Sequence, residues 1–150
     1  MPAVLRCRST VSRHHPQMPR LVTVPWAVVA RWKLPGTTVV EAALDGTPIG
    51  RRSLKRWDER RCWWFDLPQP LCRKLGLDEG SPVQVELRLA SQEPPPELAE
   101  LIARNQAARA RWRALTPAQQ RLLREDVLAA KQPVTRARRA RKGLSLGLET

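Results

Sequence analysis

The sequence predicts an α+β protein, a small six-stranded-type β-barrel with one short helix followed by a C-terminal segment of three to four helices. Three observations carry this. Between Leu21 and Leu89 the apolar residues fall into short runs or alternate with polar ones, and turn residues separate the runs. That is the pattern of closely spaced strands. The strands do not alternate with long helices, so a parallel βαβ sheet is excluded and a closed or nearly closed barrel is favoured. After Pro94-Pro95-Pro96 the apolar spacing changes to that of helices. The expected organisation is a disordered basic tail over residues 1–20, a barrel over 21–92 and a helical basic module over 93–150.

The tail assignment rests on composition. Residues 1–20 contain Arg6, Arg8, Arg13 and Arg20, no acid, and scattered Ser, His and Pro. Such a segment offers little to bury. An organellar presequence shares this composition, and a true start at Met18 explains it equally well. Leu21 to Val24 and Trp26 to Trp32 then read as two strands. Thr37 to Leu44 is a third, entered through the Pro35-Gly36 turn. Asp45-Gly46 marks a tight hairpin, whose primed turn requires positive φ. The return strand runs from about Ile49 to Trp57, and Asp58-Glu59-Arg60 breaks it. Cys62 to Leu67 is the next strand. Pro70 suits a first helical turn and Gly76 a left-handed C-cap, which places the single short helix between them. Val83, Val85, Leu87 and Leu89 alternate with polar residues as a half-buried strand.

In the C-terminal segment Leu98, Leu101 and Ile102 share a helical face. Asn105 caps a second helix ending near Trp112. Thr116-Pro117-Ala118-Gln119 is a capping box with Pro at the first helical position. It opens a helix whose apolar side holds Leu122, Leu123, Val127, Leu128 and Ala130. Pro133 opens a last helix running into Gly143.

The chain of 150 residues carries 27 basic and 14 acidic side chains, a net charge of +13. Such an excess predicts an anionic partner: nucleic acid, another polyanion, or an acidic protein. The bases are mostly Arg, which a GC-rich genome produces in any protein, so codon bias is the competing account of the charge. No apolar run reaches the roughly 18 residues of a membrane span. Cys7, Cys62 and Cys72 are odd in number and have no CxxC spacing, which speaks against a disulfide framework and a zinc site. A reducing cytoplasm is the expected compartment.

Few residues suggest chemistry. His14-His15 is the only histidine pair, and it falls in the expected tail, with no metal partner in sequence. Asp58, Glu59 and Asp66 are candidate acid–base carboxylates, but they lie among Arg56, Arg60 and Arg61 and read as charge-balanced loop and strand-end residues. Cys62 and Cys72 sit in apolar runs and read as structural thiols. The glycines are isolated, so no phosphate-binding loop exists. No catalytic residue, metal ligand or cofactor site is therefore assigned.

Two features suggest binding. Trp63 and Trp64 are adjacent on a strand and point to opposite faces. Trp64 then packs under the helices or stands exposed among Arg51, Arg52, Lys55, Arg56, Arg60 and Arg61, as an aromatic platform for single-stranded nucleic acid does. The second feature is Lys131, Arg136, Arg138, Arg139, Arg141 and Lys142, a run of bases without an acid. On a helix they cover most of the circumference and leave Val134, Ala137 and Leu144 as a thin apolar stripe. Such a surface can contact phosphates by counterion release or anionic lipid, or it can simply be solvated.

The order of these motifs resembles two known families. Val39 to Leu89, with the Asp45-Gly46 hairpin, the Trp63-Trp64-Phe65 strand and the Leu75-Gly76-Leu77-Asp78-Glu79-Gly80 turn, resembles the small-barrel domain DUF1905. Ala130-Lys131, Thr135-Arg136 and Arg138-Arg139, with Leu115 and the Gln119 to Arg124 stretch upstream, resemble the C-terminal helical module of bacteriocin-protection, YdeI- or OmpD-associated proteins. The resemblance implies a barrel scaffold and a protective role, and supplies no catalytic residue. The functional expectation is a non-enzymatic binding or stress-protection protein with a basic helical contact surface. The alternatives are a nucleic-acid-binding protein using the C-terminal arginines, and an enzyme with a pocket inside the barrel.

Overall fold

A computed structural model of the protein describes residues 3–146. The chain divides into two compact units, with the boundary between Ser91 and Gln92.

The first unit is built on six strands: β1 (Leu5–Thr10), β2 (Arg20–Pro25), β3 (Thr38–Leu44), β4 (Thr47–Trp57), β5 (Cys62–Leu67) and β6 (Pro82–Leu89). They form one antiparallel sheet in the order β1-β6-β3-β4-β5-β2. The two ends of this sheet nearly meet. Ser12 and Leu21 exchange backbone hydrogen bonds of 3.0 and 2.8 Å, and the Ser9 hydroxyl donates to the Thr23 carbonyl at 2.8 Å. The sheet thus closes into a nearly complete barrel, its seam held at Ser12–Leu21 and Ser9–Thr23.

The interior is packed rather than hollow. Phe65, Leu44, Leu54, Leu67, Leu87, Val22, Val24, Val40 and Val85 are each fully buried within one cluster. Two depressions lie on the outer face of the sheet. The Asp45-Gly46 turn has φ of 49° and 83° at its two central residues, the double positive φ of a type I′ hairpin. The short helix α2 (Gln69–Leu75) ends at Gly76, which is left-handed as expected.

Two expectations are corrected. Leu5 to Thr10 is not a disordered tail but the strand β1, paired with β6 from Leu5↔Leu87 to Thr10↔Pro82. Leu5, Cys7, Ser9 and Val11 face inward while Arg6, Arg8 and Thr10 face out, a period of two that the arginines mask when composition alone is read. Trp26 to Trp32 is not a strand. It forms the one-turn helix α1 (Trp26–Val29), followed by a 3-10 turn over Ala30–Trp32. Trp26, Val29 and Trp32 recur at helical spacing and pack on the core, and the Trp26 indole donates to the Cys62 carbonyl at 3.2 Å. Tertiary burial overrides the β-propensity of the valines. The sixth strand of the barrel therefore comes from the N-terminal segment.

The second unit holds α3 (Pro96–Arg104), α4 (Gln106–Ala114), α5 (Pro117–Ala129) and α6 (Pro133–Gly143). Its core is Leu98, Ala108, Leu123, Val127, Ala140 and Leu144, flanked by Leu101, Ile102, Trp112 and Leu115. Asn105 caps α4 through a 2.9 Å bond from the Ala108 N–H, and the Thr116–Gln119 capping box is formed in both directions. The apolar stripe expected on α6 is displaced. Val134 and Ala137 are exposed, and Ala140 with Leu144 is the buried pair. Leu122 on α5 is likewise exposed, next to buried Leu123.

Candidate functional site

The outer face of β2, β5 and β4 carries a half-open groove of about 480 Å³. Strand register builds its floor. Thr23, Trp64 and Lys55 form one cross-strand row, Leu21 and Asp66 a second, and Pro25, Cys62 and Trp57 a third. Trp57 is thus the diagonal neighbour of Trp64, within reach of an aromatic side chain. The two rings meet edge to face at 6.4 Å. The segment between β1 and β2 forms one wall, with His14, Met18 and Pro19 lining the groove. The His14 ring stands edge-on to Trp57 at 5.1 Å. His14 is solvent-exposed as expected, but it belongs to a placed segment against Trp57 and not to a disordered tail.

Cations sit on the ring faces. Lys55 Nζ lies 4.5 Å from the Trp64 ring centre, and the Arg60 guanidinium 4.6 Å from that of Trp57. Beyond the groove, Arg56 and Arg61 cover Trp26 at 5.0 and 5.5 Å. Trp63 faces the core, so Trp64 is the outward member of the pair, as alternation requires. Of the other bases named around it, Arg52 donates to the Ile49 carbonyl and Arg51 to the Ser91 carbonyl.

The carboxylates are divided by the fold. Asp58 pairs with Arg56. Glu59 and Asp66 line the groove. A second depression, of about 490 Å³, lies over β3, β4 and β6. Its floor is Ala42, Ala43, Gly46 and Gly50, and its acids are balanced: Glu86 pairs with Arg6 at 3.1 Å, and Glu41 stands in register between Arg51 and Arg88. It has volume but no aromatic surface, so the tryptophan groove is the better candidate.

The C-terminal base cluster is not a uniform binding face, because several arginines of this unit hold helix ends. Arg136 donates to the Ala130 and Leu128 carbonyls at 2.8 and 3.4 Å, and it lies 3.6 Å from the Glu97 carboxylate. Arg139 donates to the Asp126 carbonyl at 2.8 Å. Arg109 bonds the Ile102 and Ala103 carbonyls, and Arg111 those of Leu144 and Ser145. Each satisfies carbonyls near a helix C-terminus that have no intrahelical partner and places positive charge at the negative dipole end. Arg141 also has a partner. Lys131, Arg138 and Lys142 are exposed and carry no ion pair or hydrogen bond among the described residues. Arg138 and Lys142 are four apart on α6 and share a face.

The thiols are free. Burial pushes Cys62 and Cys72 up from the ordinary thiol range, which leaves them poor nucleophiles. Among the described residues no group of His, Cys, Asp and Glu is placed to hold a metal ion, and no helix is long and apolar enough to cross a membrane.

Residues 92–146 match the family model OmdA, described as Bacteriocin-protection, YdeI or OmpD-Associated. The matched residues lie in the helical unit. The match begins at the boundary between the two compact units, so the sequence family and the structural domain coincide. No curated protein matches the chain.

The sequence singled out His14, Lys55, Glu59, Trp64 and Asp66 separately and did not show that they share one groove. Trp57 was legible in principle, because a hairpin closed by Asp58 to Arg61 sets it diagonal to Trp64. Met18 and Pro19 left no local signal, and the His14-His15 pair gave no hint of its place. They reach the groove only because β1 and β2 close the barrel on either side of them.

Proposed function

We propose that the protein is a non-enzymatic, cytoplasmic binding protein of the bacteriocin-protection type, and that its barrel holds single-stranded nucleic acid in the tryptophan groove. The barrel is the scaffold, with residues 39–89 as its DUF1905-like part. Lys131, Arg138 and Lys142 are the phosphate-contacting bases of the helical unit.

One observation carries this reading: two tryptophan rings in an outward groove carry cationic side chains on their faces, Lys55 over Trp64 and Arg60 over Trp57. A cation over an exposed ring contributes about 0.5–1 kcal/mol, whereas a stacked base contributes roughly 1–3 kcal/mol. A strand that stacks its bases on the rings also gives the displaced cations phosphates to neutralise, so the exchange favours the nucleic acid. The reduced thiols and the net charge of +13 agree with it.

The test is binding of labelled single-stranded RNA and duplex DNA across a salt series, comparing the full chain with Trp64→Ala and with a Lys131, Arg138 and Lys142 triple Ala variant. These substitutions are preferable to truncation after Gln132, which removes Ala140 and Leu144 from the helical core. RNA binding that persists near 150 mM salt and falls about tenfold or more in Trp64→Ala supports the reading. A flatter salt slope in the triple variant assigns the phosphate contacts. Binding that is absent, or indifferent to Trp64, rejects it.

A second reading has a specific observation behind it. His14, Glu59 and Asp66 line one groove, and together they could move protons. Cleavage of a bound oligonucleotide that is lost in His14→Ala would put this reading first.

A further inference from the structure

Among the carboxylates of the barrel that carry no ion pair in the described residues, Glu41 and Glu59 are exposed and Asp66 is half-buried. Asp58, Asp78, Glu79 and Glu86 each pair with an arginine. Asp66 is half-buried in the groove, yet it has no hydrogen bond or ion pair among the described residues. Its cross-strand neighbour is Leu21, which is 5% exposed, and Met18 and Pro19 border the same end. A carboxylate at an apolar edge, acceptor on every lone pair, is matched only by donors.

The groove is therefore polarised along β5. At one end Trp57 carries Arg60, with exposed Glu59 also lining the groove, the middle row holds Trp64 and Lys55, and the other end is half-buried Asp66. Phosphate is drawn to the cationic end and repelled from Asp66. A base stacked over Trp64 then presents its hydrogen-bonding edge to the carboxylate.

Resting on the nucleic-acid reading above, we infer that this groove selects guanine, with Asp66 accepting from the ring N1–H and the 2-amino group. Guanine alone among the four bases shows two adjacent donors on its pairing edge, and a carboxylate has two acceptor oxygens at matching spacing. Adenine and cytosine place a bare ring nitrogen beside the amino group, and uracil flanks its single N–H with carbonyls; each sets a lone pair against the carboxylate. Asp66 is a specificity residue in this scheme.

The experiment is a tryptophan-fluorescence titration of the full chain with GMP, IMP, AMP, CMP and UMP, and with guanine-rich and uracil-rich single-stranded RNA. GMP is expected to bind about tenfold tighter than UMP. IMP keeps N1–H and lacks the 2-amino group, so it falls between them. In Asp66→Asn and Asp66→Ser the preference for GMP over UMP drops below about threefold, with unchanged melting. The IMP comparison needs no variant, so it stands if either substitution fails to fold. Equal binding of all nucleotides and RNAs overturns the guanine assignment and leaves the binding reading intact. Absence of binding to every nucleotide and RNA overturns both.

Discussion

Replacing Leu5 by Ala tests whether the N-terminal segment is part of the barrel. Leu5 is 6% exposed and lies opposite Leu87, itself 1% exposed, where β1 meets β6. Truncating a buried leucine costs about 3 kcal/mol, within a range of roughly 2–5. For a domain near 90 residues each kcal/mol shifts the melting temperature by about 4–8 °C, so Leu5→Ala should lower it by roughly 12–24 °C. The readout is specific to this unit. Trp26, Trp32, Trp57, Trp63 and Trp64 all precede the boundary at Gln92, and only Trp112 follows it, so intrinsic fluorescence reports chiefly on the barrel. Met18→Ala is the control, because Met18 is 48% exposed and an exposed substitution changes stability by about 0.5 kcal/mol or less. A chain beginning at Met18 lacks β1 altogether and leaves one edge of β6 unpaired; it should not reach the folded barrel. If Leu5→Ala melts within about 3 °C of the parent, β1 does not hold the barrel in solution and the reasoning fails.

Three further outcomes follow from particular contacts. A Cβ on Gly143 would fall inside the radius of Leu123 Cδ1 and 3.1 Å from its Cγ. Gly143→Ala should therefore cost about 1–3 kcal/mol by overpacking, although Ala is ordinarily better than Gly in a helix by about 1 kcal/mol. Combination with Leu123→Ala should be less damaging than the sum of the two single changes in a denaturant titration, and simple additivity would show that the two sites do not touch. Asp78 is held below the usual carboxylate range, first by the Glu79 N–H at 2.8 Å and then by Arg20 at 2.7 Å. A depressed folded value means its contribution is present above the unfolded value of about 3.9 and is lost as pH falls through the folded one. Melting temperature should thus decline less steeply below about pH 4 in Asp78→Asn than in the parent, and parallel curves would refute the assignment. At pH 7.5 a thiol reagent should modify half-buried Cys7 first, while Cys62 and Cys72, at 7% and 2% exposure, react only with denaturant present. Rapid modification of all three in the folded protein would contradict the packing.

Much of the fold was legible because its signals are short-range. A type I′ turn needs positive φ, so Asp45-Gly46 announces its hairpin wherever it stands. Gly76, Asn105 and the Thr116–Gln119 box mark helix ends through bonds spanning three or four residues. The Val83 to Leu87 alternation states which face is buried, and the outward placement of Trp64 follows from the same periodicity. The helical segment was found by its caps, and its family match spans the same residues.

What the sequence left undetermined depends on partners far along the chain. Leu5 to Thr10 is a strand because β6 offers it an edge, and its arginines hide the alternation from a reading by composition. The aliphatic run after Pro25 is helical because one of its faces meets the barrel core. Arg136 and Arg139 read as free phosphate ligands until helix packing puts carbonyls of α5 within their reach. The groove is the extreme case. Trp64 was legible from local alternation, but Asp66 read as a charge-balanced strand-end residue, and His14, Met18 and Pro19 join the groove only when the barrel closes at Ser12 and Leu21. Local conformational preferences set the elements, since φ, capping and periodicity are properties of neighbouring residues. The binding surface belongs to tertiary structure alone, because closing a barrel brings together side chains that no short-range interaction connects.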